Sequence, residues 1–487
     1  MKKYNYIFLI SILIILISGS CKKDWLDVPP EGQITPEGYY STPQRAEEIV
    51  NAIYNNMLQW DEHTFSWIGM TSITSDNADK GSSDGDTGTD KDKMQNFTYS
   101  PTDLSINEVW VANYRGISRA NTALSVLPDV ALEEAFKNRL IGEARFLRAY
   151  FYFNLVRCYG GIPLINNVID PTNQEELSKL NVRASADEIY NLIIEDLSYA
   201  KDNLYGVNDY ESRDLGRATS GAATGLLAKV YMYRADWQKV FDLTNEVINS
   251  NEYRLVDDYA TIWRESGENS EESLFEVQGV GGPVNLGIQG YMVTQAVRGQ
   301  FGWGFNSPSE SLENAYEAGD PRKDATIIFP GDTMWDGTVI IDNPPNPRYN
   351  EKAYVSRTQE TFNGQDWESN KNLRILRYAE ILLLNAEAAN ELGDANKARE
   401  SLNMVRARVG MPDVTVSDQA LLRTAIWHER RVELAMEHDR FFDVIRQGRG
   451  AELFGPLGFT AGKNELFPVP QTQIDISGGT LSQNPGY

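Results

Sequence analysis

Two stretches of the chain repeat one another in register at an offset of 158 residues: Leu226, Ala228, Asp236, Val240, Thr244 and Val247 recur as Leu384, Ala386, Asp394, Ala398, Leu402 and Val405. Each unit reads as a helix with a small residue where a partner approaches, then a tight turn (Ala235-Asp236, Gly393-Asp394), then a second amphipathic helix. A helix hairpin of this kind cannot bury its apolar face alone and must stack on neighbours. The repeat therefore predicts a mainly α fold in which tetratricopeptide-like helix hairpins form a scaffold. Weak identity between the units leaves a plain helical bundle as the alternative. Apolar periodicity extends the series from Glu47, with Val50, Ile53, Tyr54 and Met57 on one face. It predicts further helices over 106–127, 133–158, 186–203, 219–235, 237–250, 373–391, 395–409 and 418–439. The pair 139–158 with 186–203 reads as a third unit, and 47–58 with 106–127 as a fourth, split by an insertion.

Residues 60–105 and 254–372 lack this period and are rich in Gly, Asn, Asp, Ser and aromatics. Loops this long inside a compact body are usually functional. The second carries Trp263, Trp303, Trp335 and Trp367, with Tyr291, Phe301 and Phe305 among closely spaced glycines. The chain thus reads as a scaffold with a loop-rich, ligand-presenting half. A hydrophobic fraction of 41% over 487 residues supplies a large core without staples. The two cysteines, Cys21 and Cys158, give no disulfide framework, and three histidines leave little for a metal site. The formal charge of −24 argues against nucleic acid, whose phosphates require Lys and Arg.

Lys2 and Lys3 precede an apolar run from Ile7 to Ile17, broken only by Ser11. That run is short of the ~20 residues a spanning helix needs and reads as a secretory core. Ser18, Gly19 and Ser20 then lead into Cys21, the arrangement that lipoprotein processing uses, although Ser18 stands where Leu is usual. The predicted organisation is a signal peptide over 1–20, a tether over 21–40 anchored through lipid on Cys21, and one body over 41–487. Losing Lys2 and Lys3 with the signal would take the charge from −24 to −26. Cys158 lies in an aromatic helical stretch and reads as a small buried hydrophobe.

A series of further segments carries a resemblance. Cys-Lys-Lys-Asp-Trp-Leu-Asp (21–27) is followed by Tyr-Arg-Gly-Ile-Ser-Arg-Ala-Asn (114–121). Glu-Ala-Arg-Phe-Leu-Arg-Ala-Tyr-Phe-Tyr-Phe (143–153) closes on Tyr-Gly-Gly-Ile-Pro-Leu (159–164). Near the end stand Glu-Arg-Arg-Val-Glu-Leu-Ala-Met-Glu-His-Asp-Arg-Phe-Phe-Asp (429–443), Phe-Pro-Val-Pro-Gln (467–471) and Gln-Asn-Pro-Gly-Tyr (483–487). In this order the chain resembles the SusD/RagB family of outer-membrane nutrient-binding lipoproteins over essentially its whole length. The resemblance implies a non-catalytic receptor at the cell surface. It would act as a hinged lid on a SusC-like TonB-dependent transporter, with the ligand enclosed between the two. Most such proteins bind oligosaccharides and some bind peptides. A lipid-anchored glycoside hydrolase and a protein-binding adaptor are the alternatives from other classes.

Sugars present apolar C–H faces edged by hydroxyls, which an aromatic ring covers while polar side chains bond the rim. Trp67 in the first insertion, with Tyr291, Trp303, Trp335 and Trp367 in the second, are the candidate rings, and Asp76 and Asn77 the candidate hydroxyl partners. Trp60, in the first insertion beside Trp67, is weighed with them as a loop ring, whereas Trp110, Trp237 and Trp427 lie in helices and read as core. For each ring the competing reading is local packing, since Trp is usually largely buried. Asp84 to Asp90 spaces carboxylates around glycines as calcium loops do, but Gln95 stands where the bidentate Glu belongs, so a solvated loop is the plainer reading. His428-Glu429 is no zinc-protease motif, because Val432 occupies the second His position. No phosphate loop or nucleophile elbow stands out, no carboxylate pair is singled out, and no cofactor is implied.

Overall fold

Thr42 starts the first helix by accepting from Arg45 N–H, and Pro43 sits at the first helical position, where its missing N–H costs nothing. The computed structural model describes residues 39–487 apart from 84–85, 87–89, 282–286, 363 and 365–366. The expectations for residues 1–38, including lipidation at Cys21, lie outside the described residues. The scaffold helices are α1 (Pro43–Asn56), α2 (Leu104–Val126), α3 (Glu134–Tyr159), α4 (Ala186–Asn203), α5 (Ser220–Tyr233) and α6 (Trp237–Ser250). After the long insertion come α7 (Tyr378–Glu391), α8 (Ala395–Arg408), α9 (Gln419–Glu433) and α10 (Arg440–Arg446).

These helices pack in chain order: α1 on α2, α2 on α3, α3 on α4, and so on to α7 on α8 and α9. The repeated units are the hairpins α5/α6 and α7/α8, which stack through α6 and α7. Each second helix opens with an aspartate cap, Asp236 accepting from Lys239 N–H at 3.2 Å and Asp394 from Lys397 N–H at 3.0 Å. Ser185 and Glu188 form a capping box at the start of α4. Gly116 of α2 lets α3 come close, since a Cβ there would lie 2.4 Å from the Phe151 ring. Cys158 is buried in α3, and burial pushes its thiol up to about 12.

Two helix expectations shorten. Residues 373–377 form a strand, because they pair with the 273–277 segment before α7 begins. Residues 434–439 leave the helical path, since Met436 and His438 take left-handed φ values of 64° and 72°. The loop-rich half is tied down by small antiparallel ladders: β1 (Ala78–Gly81) with β4 (Phe305–Pro308), β2 (Ser273–Val277) with β8 (Leu373–Arg377), β3 (Ile288–Gln289) with β7 (Glu368–Ser369), and β5 (Ile327–Ile328) with β6 (Tyr349–Asn350). The first insertion is not wholly loop. Trp60–His63 and Phe65–Ile68 are single helical turns, and Gly69–Ile73 is a buried π-helical turn.

Candidate functional site

The β3/β7 ladder builds an aromatic surface. Gln289 N–H donates to the Leu58 carbonyl at 3.1 Å, and Thr64 Oγ1 donates to the Gln289 carbonyl at 2.6 Å, pinning the Trp60 turn against β3. Gly290 N–H donates to the Trp367 carbonyl at 2.6 Å. Gly290 has φ +69°, and a Cβ on it would fall 2.3 Å from Trp60 Cζ3 and 3.1 Å from Trp367 Cζ3. Only glycine fits there, in both conformation and space. Trp303 is set by its N–H donating to the Val293 carbonyl at 2.8 Å.

The three indoles meet at this point. Trp60 and Trp367 stack at 4.9 Å between centroids with 22° between planes, and Trp303 lies 6.0 Å from Trp60 and 6.1 Å from Trp367. Phe65 supports the group at 5.7 Å from Trp60 and packs on Phe305 at 4.7 Å. Despite these contacts Trp303 remains 36% exposed and Trp367 41%. Large apolar rings are held open here by rigid neighbours, and among the described residues no scaffold helix covers them.

Polar groups edge the platform. Arg298 Nη1 donates to the Trp303 carbonyl at 3.0 Å and to Ser82 Oγ at 2.8 Å, and it pairs with Asp86 at 2.7 Å. Both charged side chains are about a third exposed, at 29% and 34%. The Ser82 hydroxyl, and then Arg298, hold the Asp86 carboxyl below the usual carboxylate range. The ionised carboxylate accepts hydrogen bonds, the guanidinium beside it donates them, and the carboxylate holds no proton to give up.

The residues expected from sequence divide sharply. Trp303, Trp335 and Trp367 are exposed, but Trp335 makes no ring contact with the other two. Trp67 is corrected: it is 4% exposed, its ring 6.2 Å from Phe442, because the 65–73 segment runs through the core. Tyr291 is likewise buried, its hydroxyl 2.9 Å from His438 Nε2. Asp76 is held by Arg440 at 2.7 Å and Arg431 at 3.2 Å, and Asn77 accepts from Arg431 Nε at 2.9 Å. These two lock the first insertion to the 429–443 motif and offer little to a ligand. Asp86 and Asp90, from the acidic loop, are engaged by Arg298 and Lys91 respectively. Trp60, a ring of the aperiodic first insertion, joins Trp303 and Trp367 here, and Phe65 and Arg298, which no sequence pattern singles out, complete the group.

Comparison with known proteins agrees with this architecture. The family profile described as "SusD family" matches residues 245–487, and that described as "Starch-binding associating with outer membrane" matches residues 24–232. A SusD-like protein P2 of Formosa agariphila is 29% identical across the whole of both chains. A solved SusD-like protein of Bacteroides fragilis superposes with a TM-score of 0.80 at 28% identity, covering 94% of this chain and all of the other. A solved laminarin-binding SusD-like protein is 31% identical, covers 91% of this chain and 99% of its own, and superposes with a TM-score of 0.79. This chain belongs to the SusD/RagB family.

Proposed function

We propose that the protein is a glycan receptor of the outer-membrane surface, anchored through lipid on Cys21, that binds an oligosaccharide without cleaving it. It passes the ligand to a SusC-like TonB-dependent transporter and serves as that transporter's lid. The observation that carries the reading is the open indole platform of Trp60, Trp303 and Trp367, with Arg298 and Asp86 on its edge. Flat apolar faces bordered by a few placed polar groups match the C–H faces and hydroxyl rims of sugars. That a similar protein is described as laminarin-binding supports the same class of ligand. The membrane and transporter parts rest on the hydrophobic run before Cys21 and on the family.

Native electrophoresis through gels containing single neutral polysaccharides tests the binding. At least one polysaccharide should retard the protein, and chromatography of that ligand after long incubation should return it at its original chain length. Hydrolysis that tracks with the protein through purification would reject the receptor reading. Retrieval in mild detergent should bring down a large outer-membrane barrel, and repeated isolation of the protein alone would reject the transporter partnership.

A further inference from the structure

Trp335 stands at the tip of a tight hairpin. Met334 N–H donates to the Thr338 carbonyl at 2.8 Å, Gly337 N–H donates to the Met334 carbonyl at 2.9 Å, and Gly337 takes the φ of 84° that the turn requires. Its flanking residues are anchored. Met334 is buried, and Asp336 accepts from the Tyr354 hydroxyl at 2.8 Å and from Thr338 N–H at 2.9 Å. Between them Trp335 is 38% exposed, at a position where a turn favours small or polar residues. The Arg264 guanidinium lies 4.4 Å over its ring, and Tyr354 meets it edge-on at 89°. Arg264 is itself fixed by Glu351 at 2.7 Å. The indole is therefore rigid and open at once.

Two adjoining clefts, each of about 620 Å³, share the wall made by Trp335 and Arg264. Asp257, Asp258, Asp324 and Asp332 line the first, and Glu265 and Glu360 the second. Asp257 and Asp324 make no hydrogen bond or ion pair among the described residues, so their oxygens are free to accept from hydroxyls. The arginines in these walls are already matched, Arg264 by Glu351 and Arg408 by Glu272 and Glu433. A rim of carboxylates with paired guanidiniums repels sulfate and uronate groups and accepts hydrogen bonds from neutral sugars.

We propose that the Trp335 clefts form a second glycan subsite, separate from the Trp60–Trp303–Trp367 platform and selective for neutral hexose or pentose units of a longer chain. The proposal rests on the receptor reading for its ligand class, but not on the platform being a site. A polymer touching both places converts its second contact into an intramolecular one, which raises affinity for long chains over short ones.

The test labels the protein with 5-fluorotryptophan, assigns each fluorine resonance by Trp→Phe substitution, and titrates with neutral glucan, mannan and xylan hexasaccharides. A sulfated galactan hexasaccharide is the charged comparison. The Trp335 resonance should shift with at least one neutral sugar and stay still with the sulfated one. Trp335→Ala should weaken retention by the matching polymer at least threefold while leaving the Trp303 and Trp367 shifts unchanged. Movement at Trp303 and Trp367 with none at Trp335 overturns the second subsite and leaves the receptor intact. Movement at Trp335 alone supports the subsite and removes the platform from the account. Movement at neither overturns both, and a larger Trp335 shift with the sulfated sugar overturns the neutral class.

Discussion

Arg322 is fully enclosed and donates to Asp320 at 2.7 Å, Glu429 at 2.5 Å and Glu433 at 3.1 Å. Glu433 also accepts from Arg377 at 3.0 Å and Arg408 at 2.5 Å. Burial pushes the Glu433 carboxyl up, but Arg408, Arg377 and Arg322 more than offset this and hold it well below the usual range. Glu429 and Glu433 thus clasp α9 to Arg322 of the second insertion. Glu433→Ala leaves three buried guanidiniums short of charge, and denaturant unfolding should show a loss of about 3–5 kcal/mol. The histidines offer a second check. Burial pushes His63 and His438 each down to about 4, with His63 also bonded to the Met57 carbonyl at 2.9 Å. Their contribution to stability is present above the unfolded value of ~6.5 and lost as pH falls to about 4. Burial raises Glu268 to about 7, which acts in the opposite sense: its contribution is present below ~4.5 and lost as pH rises to about 7. The two effects oppose one another over the same window, so individual resonances are the readout. In NMR titration the more exposed His428 should protonate first, and His63 and His438 should stay neutral at pH 5.

The repeated hairpins give a comparison at the scale of elements. Gly393 takes φ 87° in the α7/α8 turn, while Ala235 takes φ 52° in the matching α5/α6 turn. An L-residue in that region costs roughly 1–2 kcal/mol, partly offset by the lower chain entropy of Ala. Ala235→Gly should therefore stabilise the protein by up to about 1 kcal/mol, and Gly393→Ala should destabilise it by a similar amount. Equal effects of the same sign would contradict the matched-turn description. Asp236→Ala and Asp394→Ala each remove a cap and should cost about 1 kcal/mol. The helices were legible because their signals are local: the apolar period and the caps placed 186–203 and 237–250 to the residue. What the period could not show was the end of the 418–439 helix, where two left-handed residues turn the chain. Nor did it separate the 373–377 strand, whose partner lies about a hundred residues earlier.

For the molecule as a whole, the helical pile fixes where the loop-rich half can present its rings. Trp67 and Trp303 look alike in sequence, each an aromatic in an aperiodic segment, yet one packs on Phe442 and the other stays open. Which outcome each meets depends on contacts made far along the chain, and no local pattern carries that information. Attachment to the membrane is expected to depend on the Cys21 sulfur, so that Cys21→Ala should move the protein into the soluble fraction. The same variant retained on membranes without acyl label would contradict the anchor. The central claim is that the indole platform holds sugar. Its most direct measurement pairs polysaccharide affinity with melting temperature for Trp303→Ala and Trp367→Ala. A central aromatic contact is worth about 2 kcal/mol or more, roughly thirtyfold in affinity. Each variant should bind at least tenfold more weakly than the native protein while its melting temperature stays nearly unchanged. Native affinity in both, or affinity lost only in step with stability, would contradict the claim.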